Sequence, residues 1–187
     1  MKKLIVSLTI ALVFLMRAPT TMAENQAGSS AQLSLATKID RKELESLNLE
    51  NKKLAIKLVL GRYGSPMLGA EDSFVDACKK YNLDCYLLPA IAGLESTFGR
   101  FIWPNSYNPF GWARGYMMFD NWSESIDTVA SGLRNNYINR GALSVYEIGP
   151  IYSESPTWAV RVSFLMKEFE KEETKISLLS TEIPVKL

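Results

Sequence analysis

The sequence predicts a mainly α-helical domain with a single hydrophobic core. Apolar residues recur every three or four positions over most of residues 39–172, which is the spacing of one helix face. No segment alternates apolar and polar residues as a half-buried strand does. The helical segments are bounded by residues that typically begin or end helices, such as Ser or Asn before them and Gly or Pro after them.

Residues 1–23 have the pattern of a secretory signal peptide. Lys2 and Lys3 precede an apolar run that is short for a membrane span, and a Thr-Met-Ala sequence predicts cleavage after Ala23. A retained membrane anchor is the alternative, because Arg17 is unusual inside a signal peptide. We therefore expect a secreted, periplasmic or cell-envelope protein that contacts a membrane only if this segment is retained.

The elements follow in order. Residues 24–38 are small and polar without a period, so we expect a linker. A first helix is predicted from residue 39 to residue 62, where a Gly-Ser-Pro sequence follows. A second helix is predicted over residues 69–81, and a third begins after Asp84 and ends at Gly99.

Residues 101–120 have no helical or strand period. They are rich in Gly, Pro, Asn and aromatic residues, which predicts a long functional loop with a small hairpin over residues 112–119 as one option. A fourth helix is capped by Asn121 or Ser123 and ends before Gly141.

The C-terminal third contains two further helices. Ser144 and Glu147 form a capping box that opens a short helix, and the last helix begins at Pro156. Residues 173–187 are expected to be a flexible tail.

Composition excludes several classes of function. Removal of residues 1–23 lowers the Lys and Arg count from 21 to 18 against 20 Asp and Glu, a net charge of −2 that gives no basic surface for nucleic acid. The absence of histidine excludes Ser-His-Asp and Cys-His catalysis and nearly all catalytic zinc sites. We expect a monomer without metal or cofactor, whose chemistry depends on carboxylates, tyrosines or cysteines.

Two cysteines, Cys78 and Cys85, lie seven residues apart between the second and third helices. In an exported chain this pair can form a disulfide that clips the turn, and two reduced core thiols are the alternative.

Glu95 is the candidate catalytic residue. It shares one helix face with Leu88, Ile91 and Ala92, so burial would raise its pKa and keep it protonated, as a general acid requires. The alternative is a Glu that turns out to water or pairs with Arg100.

Aromatic residues are concentrated after Glu95. Aromatic rings can stack on sugar rings, while Asn105, Asn108 and Asn121 can bind hydroxyl and acetamido groups. About half of the rings are expected to pack in the core instead. The aromatic residues are Phe98, Phe101, Trp103, Tyr107, Phe110, Trp112, Tyr116, Phe119 and Trp122.

Three motifs in order carry a family resemblance: ESTFG from Glu95, YNPFGW from Tyr107 and FDNWSESI from Phe119. Over residues 74–170 the sequence resembles the glucosaminidase branch of the lysozyme-like superfamily. It is similar to glycoside hydrolase family 73, to mannosyl-glycoprotein endo-beta-N-acetylglucosaminidase-like domains and to soluble lytic transglycosylases. The resemblance implies a lysozyme-like helical fold and cleavage of peptidoglycan glycan strands, with either of the two backbone glycosidic bonds as the target.

The resemblance also implies roles for individual residues. Glu95 resembles the general acid, and Glu124 aligns with an acidic residue of the later helix, although capping of that helix is its structural alternative. The substrate-binding residues expected are Asn108, Phe110, Gly111, Trp112, Tyr116 and Tyr152, of which the two tyrosines would orient groups or stabilise the cationic transition state.

The sequence departs from the family in one respect. Residues 100–107 contain no Asp or Glu where family 73 enzymes usually carry a second carboxylate on an extended lobe. Either Asp120 or Glu124 takes that role, or the substrate's own hydroxyl or acetamido group attacks, as in lytic transglycosylases. A catalytically inactive glycan-binding protein and a helical adaptor of the cell envelope are the competing interpretations.

Overall fold

The computed structural model describes residues 26–182, with side chains from residue 41 to residue 179. This part of the chain is mainly α-helical and contains no strand, as predicted. Contacts divide the chain into two units, Met1–Arg41 and Lys42–Leu187. The six helices are α1 (Gln26–Arg62), α2 (Glu71–Tyr81), α3 (Leu87–Ser96), α4 (Trp122–Asn136), α5 (Val145–Tyr152) and α6 (Trp158–Glu182).

Helix α1 begins earlier than expected. It starts at Gln26, so residues 26–38, which were predicted as a linker without a helical period, are helical. The segment has no proline, and its Gln, Ala, Leu and Lys residues favour a helix even without an amphipathic pattern. The predicted signal peptide, residues 1–23, lies outside the described residues, and no helix within residues 26–182 is long and apolar enough to cross a membrane.

The core lies in the second unit, where α2 packs against α4 and α3 and α5 both pack against α6. The predicted apolar faces of α2, α4 and α6 are buried. Each large apolar side chain removed from water contributes about 1.5–3 kcal/mol, so these faces position the helices. The buried residues of these faces include Phe74 and Ala77 of α2, Ile126, Val129, Ala130 and Leu133 of α4, and Val162, Met166 and Phe169 of α6.

The turn between α2 and α3 contains a disulfide. Cys78 and Cys85 are bonded, with their Cα atoms 4.8 Å apart. Asn82 ends α2 in the left-handed conformation with φ 48°. The chain therefore turns between the two cysteines. The disulfide, one of the two alternatives from the sequence, is therefore the observed state.

The C-terminal helix extends further than expected. Helix α6 starts at Trp158, two residues after the predicted start, and continues to Glu182, so the prediction of a flexible tail is wrong for residues 173–182. Polar side-chain contacts with earlier parts of the chain stabilise this end of α6, and a helical period does not reveal such contacts. The Glu173 carboxylate accepts hydrogen bonds from Lys52 Nζ (2.9 Å) and the Tyr86 hydroxyl (2.8 Å).

The loop between α3 and α4 differs from the prediction in two ways. Helix α3 ends at Ser96 rather than Gly99, because Thr97 already has a left-handed backbone with φ 51°. The hairpin over residues 112–119 is not present. Residues Trp112–Gly115 form a 3-10 turn instead, in which Ala113 and Arg114 also have positive φ.

Candidate functional site

Glu95 lies in the last turn of α3, beside the start of α6. Trp158 opens α6, and its indole Nε1 donates a hydrogen bond of 2.7 Å to Glu95 Oε1. The Trp158 ring is buried, whereas Glu95 is exposed. The expectation of a buried Glu95 is therefore wrong, and the alternative of a Glu that turns out to water is the observed state. The alternative pairing with Arg100 is not observed, because Arg100 donates to the Tyr63 carbonyl (3.3 Å).

The second carboxylate oxygen of Glu95 lies near the loop backbone. Gly111 has φ 72°, and a Cβ added there would stand 3.5 Å from Glu95 Oε2. A glycine brings the backbone close to the carboxylate without a side chain between them. Glu95 is thus held between an indole N–H on one side and Gly111 on the other, with Oε2 free of a protein hydrogen bond among the described residues.

Tyr152 connects the loop to this carboxylate. Its hydroxyl donates to the Phe110 carbonyl (2.8 Å), and its ring stacks on Trp158 with centroids 4.8 Å apart. Desolvation raises the pKa of Tyr152 well above its ordinary value, and the nearby charge of Glu95 adds to the rise. The phenol therefore remains protonated near neutral pH and donates to the loop, which makes it a residue that positions Phe110 and Gly111.

Ser96 ties the end of α3 to the loop. Its hydroxyl lies 2.9 Å from the carbonyls of both Ala92 and Pro109, and it accepts a hydrogen bond of 2.8 Å from Gly99 N. Ser96 was not among the site residues predicted from the sequence. The only signal was a serine directly after the candidate acid, which does not by itself indicate where a hydroxyl bonds.

Asn108 stabilises the loop through hydrogen bonds of its side-chain amide. Its Nδ2 donates to the carbonyls of Trp112 (2.8 Å) and Met117 (3.1 Å), and its Oδ1 accepts from Trp112 N (3.2 Å). The residue is 3% exposed, and both amide protons are used. The Asn108 side chain thus stabilises the loop, and its role in substrate binding stays a prediction. These side-chain hydrogen bonds stabilise the turn in place of the backbone hydrogen bonds between strands that the expected hairpin would have had.

A cavity of about 580 Å³ opens beside Gly111, and we call it the loop cavity. Its wall consists of residues 110–114 of the loop, the chain after the end of α4, and the end of α5. Of the residues predicted to bind substrate, Phe110, Gly111, Trp112 and Tyr152 line it. Tyr116 does not line it and is 65% exposed, with its ring 5.4 Å from that of Trp103.

Trp112 is seated on α4. A Cβ added to Gly132 would lie only 2.1 Å from Trp112 Cη2, so the helix can accommodate the indole only where it has no side chain. This contact fixes one wall of the loop cavity.

The aromatic residues divide as expected between core and surface. Phe98, Phe110 and Phe119 are buried, whereas Phe101, Trp103 and Tyr116 are exposed. The other three, Tyr107, Trp112 and Trp122, are half-buried.

Glu124 has a structural role in the described chain. Its backbone N–H donates to the side chain of Asn121, the N-cap of α4, at 3.0 Å. Its carboxylate in turn accepts from Asp120 N at 2.6 Å. This reciprocal pattern is the capping alternative, and it occupies the carboxylate proposed for catalysis. No Asp or Glu of the described residues lines the loop cavity.

The loop holds non-glycine residues in left-handed conformations. Ala113 and Arg114 have φ 51° and 58°, and each such residue costs about 1–2 kcal/mol. Both residues lie in the wall of the loop cavity. Contacts with the surrounding residues keep the backbone in this conformation. Strain of this kind concentrates at functional sites.

No family model matches the chain, and no curated protein matches it. The functional assignment therefore depends on the residues and geometry of the site.

Proposed function

We propose that this protein is an exported glycosidase that cleaves the glycan backbone of peptidoglycan, with Glu95 as the general acid. The observation that carries the proposal is an exposed carboxylate held by the Trp158 indole (2.7 Å) beside a cavity with aromatic walls. A site with a few placed polar groups on an aromatic wall fits a carbohydrate ligand. The sequence resemblance to lysozyme-like glucosaminidases supports the same activity.

In this proposal the two oxygens of Glu95 have different roles. Oε1 accepts the indole hydrogen bond, which fixes the plane of the carboxyl group. Oε2 carries the proton and donates it to the glycosidic oxygen, while the C1–O bond breaks and its electron pair stays with the leaving sugar. Positive charge then develops at C1 and the ring oxygen of the remaining sugar.

A single carboxylate favours an intramolecular second step. Since Glu124 caps α4 and no Asp or Glu of the described chain lines the loop cavity beside Glu95, we infer that no second carboxylate acts as nucleophile or activates water. The C6 hydroxyl of the same sugar can attack C1 and return its proton to Glu95. The product is a 1,6-anhydro sugar, so we propose the lytic-transglycosylase reaction over hydrolysis.

A second candidate is a glycan-binding protein of the same fold without catalytic activity. It is favoured by the same absence of a second carboxylate from the lining of the loop cavity in the described residues. It predicts binding to glycan strands that is unchanged when Glu95 is replaced.

Sedimentation with insoluble peptidoglycan tests the proposal. The wild-type protein should bind the pellet and release soluble glycan, whereas Glu95→Gln should bind equally and release none, because the amide cannot donate a proton in the same way. Binding by both proteins without release would favour the second candidate. Absence of binding by both would contradict both candidates and favour a helical adaptor.

A further inference from the structure

The loop cavity contains two arginines and no carboxylate in its lining. Arg114 comes from the 3-10 turn of the loop, and Arg140 comes from a second 3-10 segment, Ile138–Arg140, after α4. Asn136 adds a further polar side chain to the same wall. Positive charge is thus concentrated here although the mature chain is close to neutral overall.

Neither arginine has a hydrogen-bonding or ionic partner in the side chains that the structure describes. Other arginines of the second unit are engaged: Arg62 pairs with Glu168 (2.7 Å), and Arg134 donates to the Tyr81 carbonyl (2.5 Å). An unpaired arginine on a convex surface is ordinarily only solvated. Arg114 and Arg140 instead both line one concave cavity together with Gly111, where an added Cβ would lie 3.5 Å from Glu95 Oε2.

The backbone at Arg114 lies in the left-handed region. The residue has φ 58° within a turn whose ends are fixed by Asn108. The neighbouring Ala113 has the same conformation (φ 51°), and each left-handed residue costs about 1–2 kcal/mol.

We propose that the loop cavity is a subsite for an anionic sugar, in which Arg114 and Arg140 bind a substrate carboxylate. The inference rests on the proposed function. A guanidinium group binds a carboxylate with two parallel hydrogen bonds, so two arginines from separate segments can enclose one anionic group. N-acetylglucosamine is neutral, whereas N-acetylmuramic acid carries a lactyl group that ends in a carboxylate or in a stem peptide with its own carboxylates. The subsite therefore selects the muramyl unit and sets its position relative to Glu95.

Binding measurements on the full chain with Glu95→Gln, which cannot cut the ligand, test this subsite. Three tetrasaccharides are compared by calorimetry: alternating N-acetylglucosamine and N-acetylmuramic acid without peptide, the same strand with stem peptides, and neutral chitotetraose. We expect at least one anionic strand to bind tenfold or more tightly than chitotetraose. Adding Arg114→Gln and Arg140→Gln should abolish that preference and leave chitotetraose binding unchanged. Adding Arg161→Gln, an exposed arginine that does not line the loop cavity, is the matched control and should preserve the preference.

The outcomes separate the carboxylate source and the two proposals. A preference for the peptide-free strand supports the lactyl carboxylate, and a preference only for the peptide-bearing strand supports the stem-peptide carboxylates. Equal binding of neutral and anionic strands, or a preference that survives the double arginine change, overturns the subsite while the glycosidase proposal stands. If none of the three sugars binds and the wild-type protein releases nothing from peptidoglycan, the proposed function fails and the subsite fails with it.

Discussion

At the scale of single residues, the hydrogen bond from Trp158 to Glu95 connects side chains 63 positions apart in the sequence. The periodicity of α6 predicts that the Trp158 ring faces the core, and the ring is 2% exposed. Periodicity does not indicate that the indole N–H at the edge of that ring reaches α3. The donor to Glu95 therefore belongs to a residue whose ring is buried in the core.

Trp158→Phe should reduce turnover more than substrate binding. The phenyl ring keeps most of the buried contact and removes only the N–H that orients Glu95, so we expect kcat to fall roughly 10- to 100-fold with a nearly unchanged KM. Initial rates on soluble glycan strands measure both values. Trp122→Phe is the control, because Trp122 is half-buried against Tyr107 and is expected to change stability without a selective loss of kcat. Equal kcat values in wild type and Trp158→Phe would show that the hydrogen bond has no catalytic role.

The exposure of Glu95 and the hydrogen-bond partners of Asn108 could not be predicted from the sequence. The sequence predicts Glu95 on the buried face of α3, whereas the residue is exposed, with the loop backbone at Gly111 beside its Oε2. Asn108 belongs to a motif that resembles a cleft-lining segment, yet its amide is used by the carbonyls of Trp112 and Met117. A motif identifies the segment, and only the three-dimensional contacts identify which atoms remain available.

At the scale of elements, the helices were predictable because each buries one regular face. The boundaries that were wrong lie where polar residues stabilise a helix through other parts of the chain. Glu173 of α6 bonds Lys52 and Tyr86, which are more than 80 positions earlier, so a polar sequence was mistaken for a tail. The loop was recognised as irregular, but its left-handed turn depends on the contacts of Asn108 and Trp112.

Gly132→Ala should change the shape of the loop cavity without destabilising α4. Alanine favours a helix over glycine by about 1 kcal/mol, but the new Cβ would collide with the Trp112 indole and displace it. We expect Tm to change little and glycan binding to weaken several-fold. Gly61→Ala in α1 is the matched control, since a Cβ there meets nothing within 4 Å and should leave binding unchanged. If Gly132→Ala binds glycan like wild type, Trp112 does not form part of the substrate wall.

Glu124→Ala tests the capping role at the start of α4. Loss of the carboxylate leaves the Asp120 N–H without its partner, and we expect a loss of roughly 0.5–2 kcal/mol in the free energy of unfolding. Turnover measured well below the unfolding transition should remain near that of wild type. A hundredfold loss of turnover with unchanged stability would instead identify Glu124 as the second catalytic carboxylate.

At the scale of the whole domain, ionic contacts connect α1 to α6. Hydrogen bonds from Lys175 (2.9 Å) and Arg62 (2.5 Å) lower the pKa of Glu172 below its ordinary value of about 4.3. A carboxyl group whose pKa is lower in the folded state stabilises the protein above the unfolded pKa. That contribution is lost as the pH falls through the folded pKa.

The Tm of the wild-type protein should therefore fall more steeply than that of Glu172→Gln as the pH is lowered from about 5 to 3. The two curves should converge in acid, where Glu172 is protonated. Glu170→Gln, on the same helix but exposed, is the control and should follow the wild-type slope. Parallel curves for wild type and Glu172→Gln would contradict this assignment.

Glu95 is our proposed acid of a glycosidase, and a digest of purified peptidoglycan analysed by mass spectrometry tests this claim. The wild-type protein and Glu170→Gln should release the same 1,6-anhydro fragments, each lighter by one water than the hydrolytic product. Glu95→Gln should release none. Fragments with a free reducing end, released by the wild type and absent with Glu95→Gln, would support Glu95 as the acid. They would also show that water, rather than the C6 hydroxyl, attacks C1. The same products from Glu95→Gln at a comparable rate, or none from the wild type, would contradict the claim.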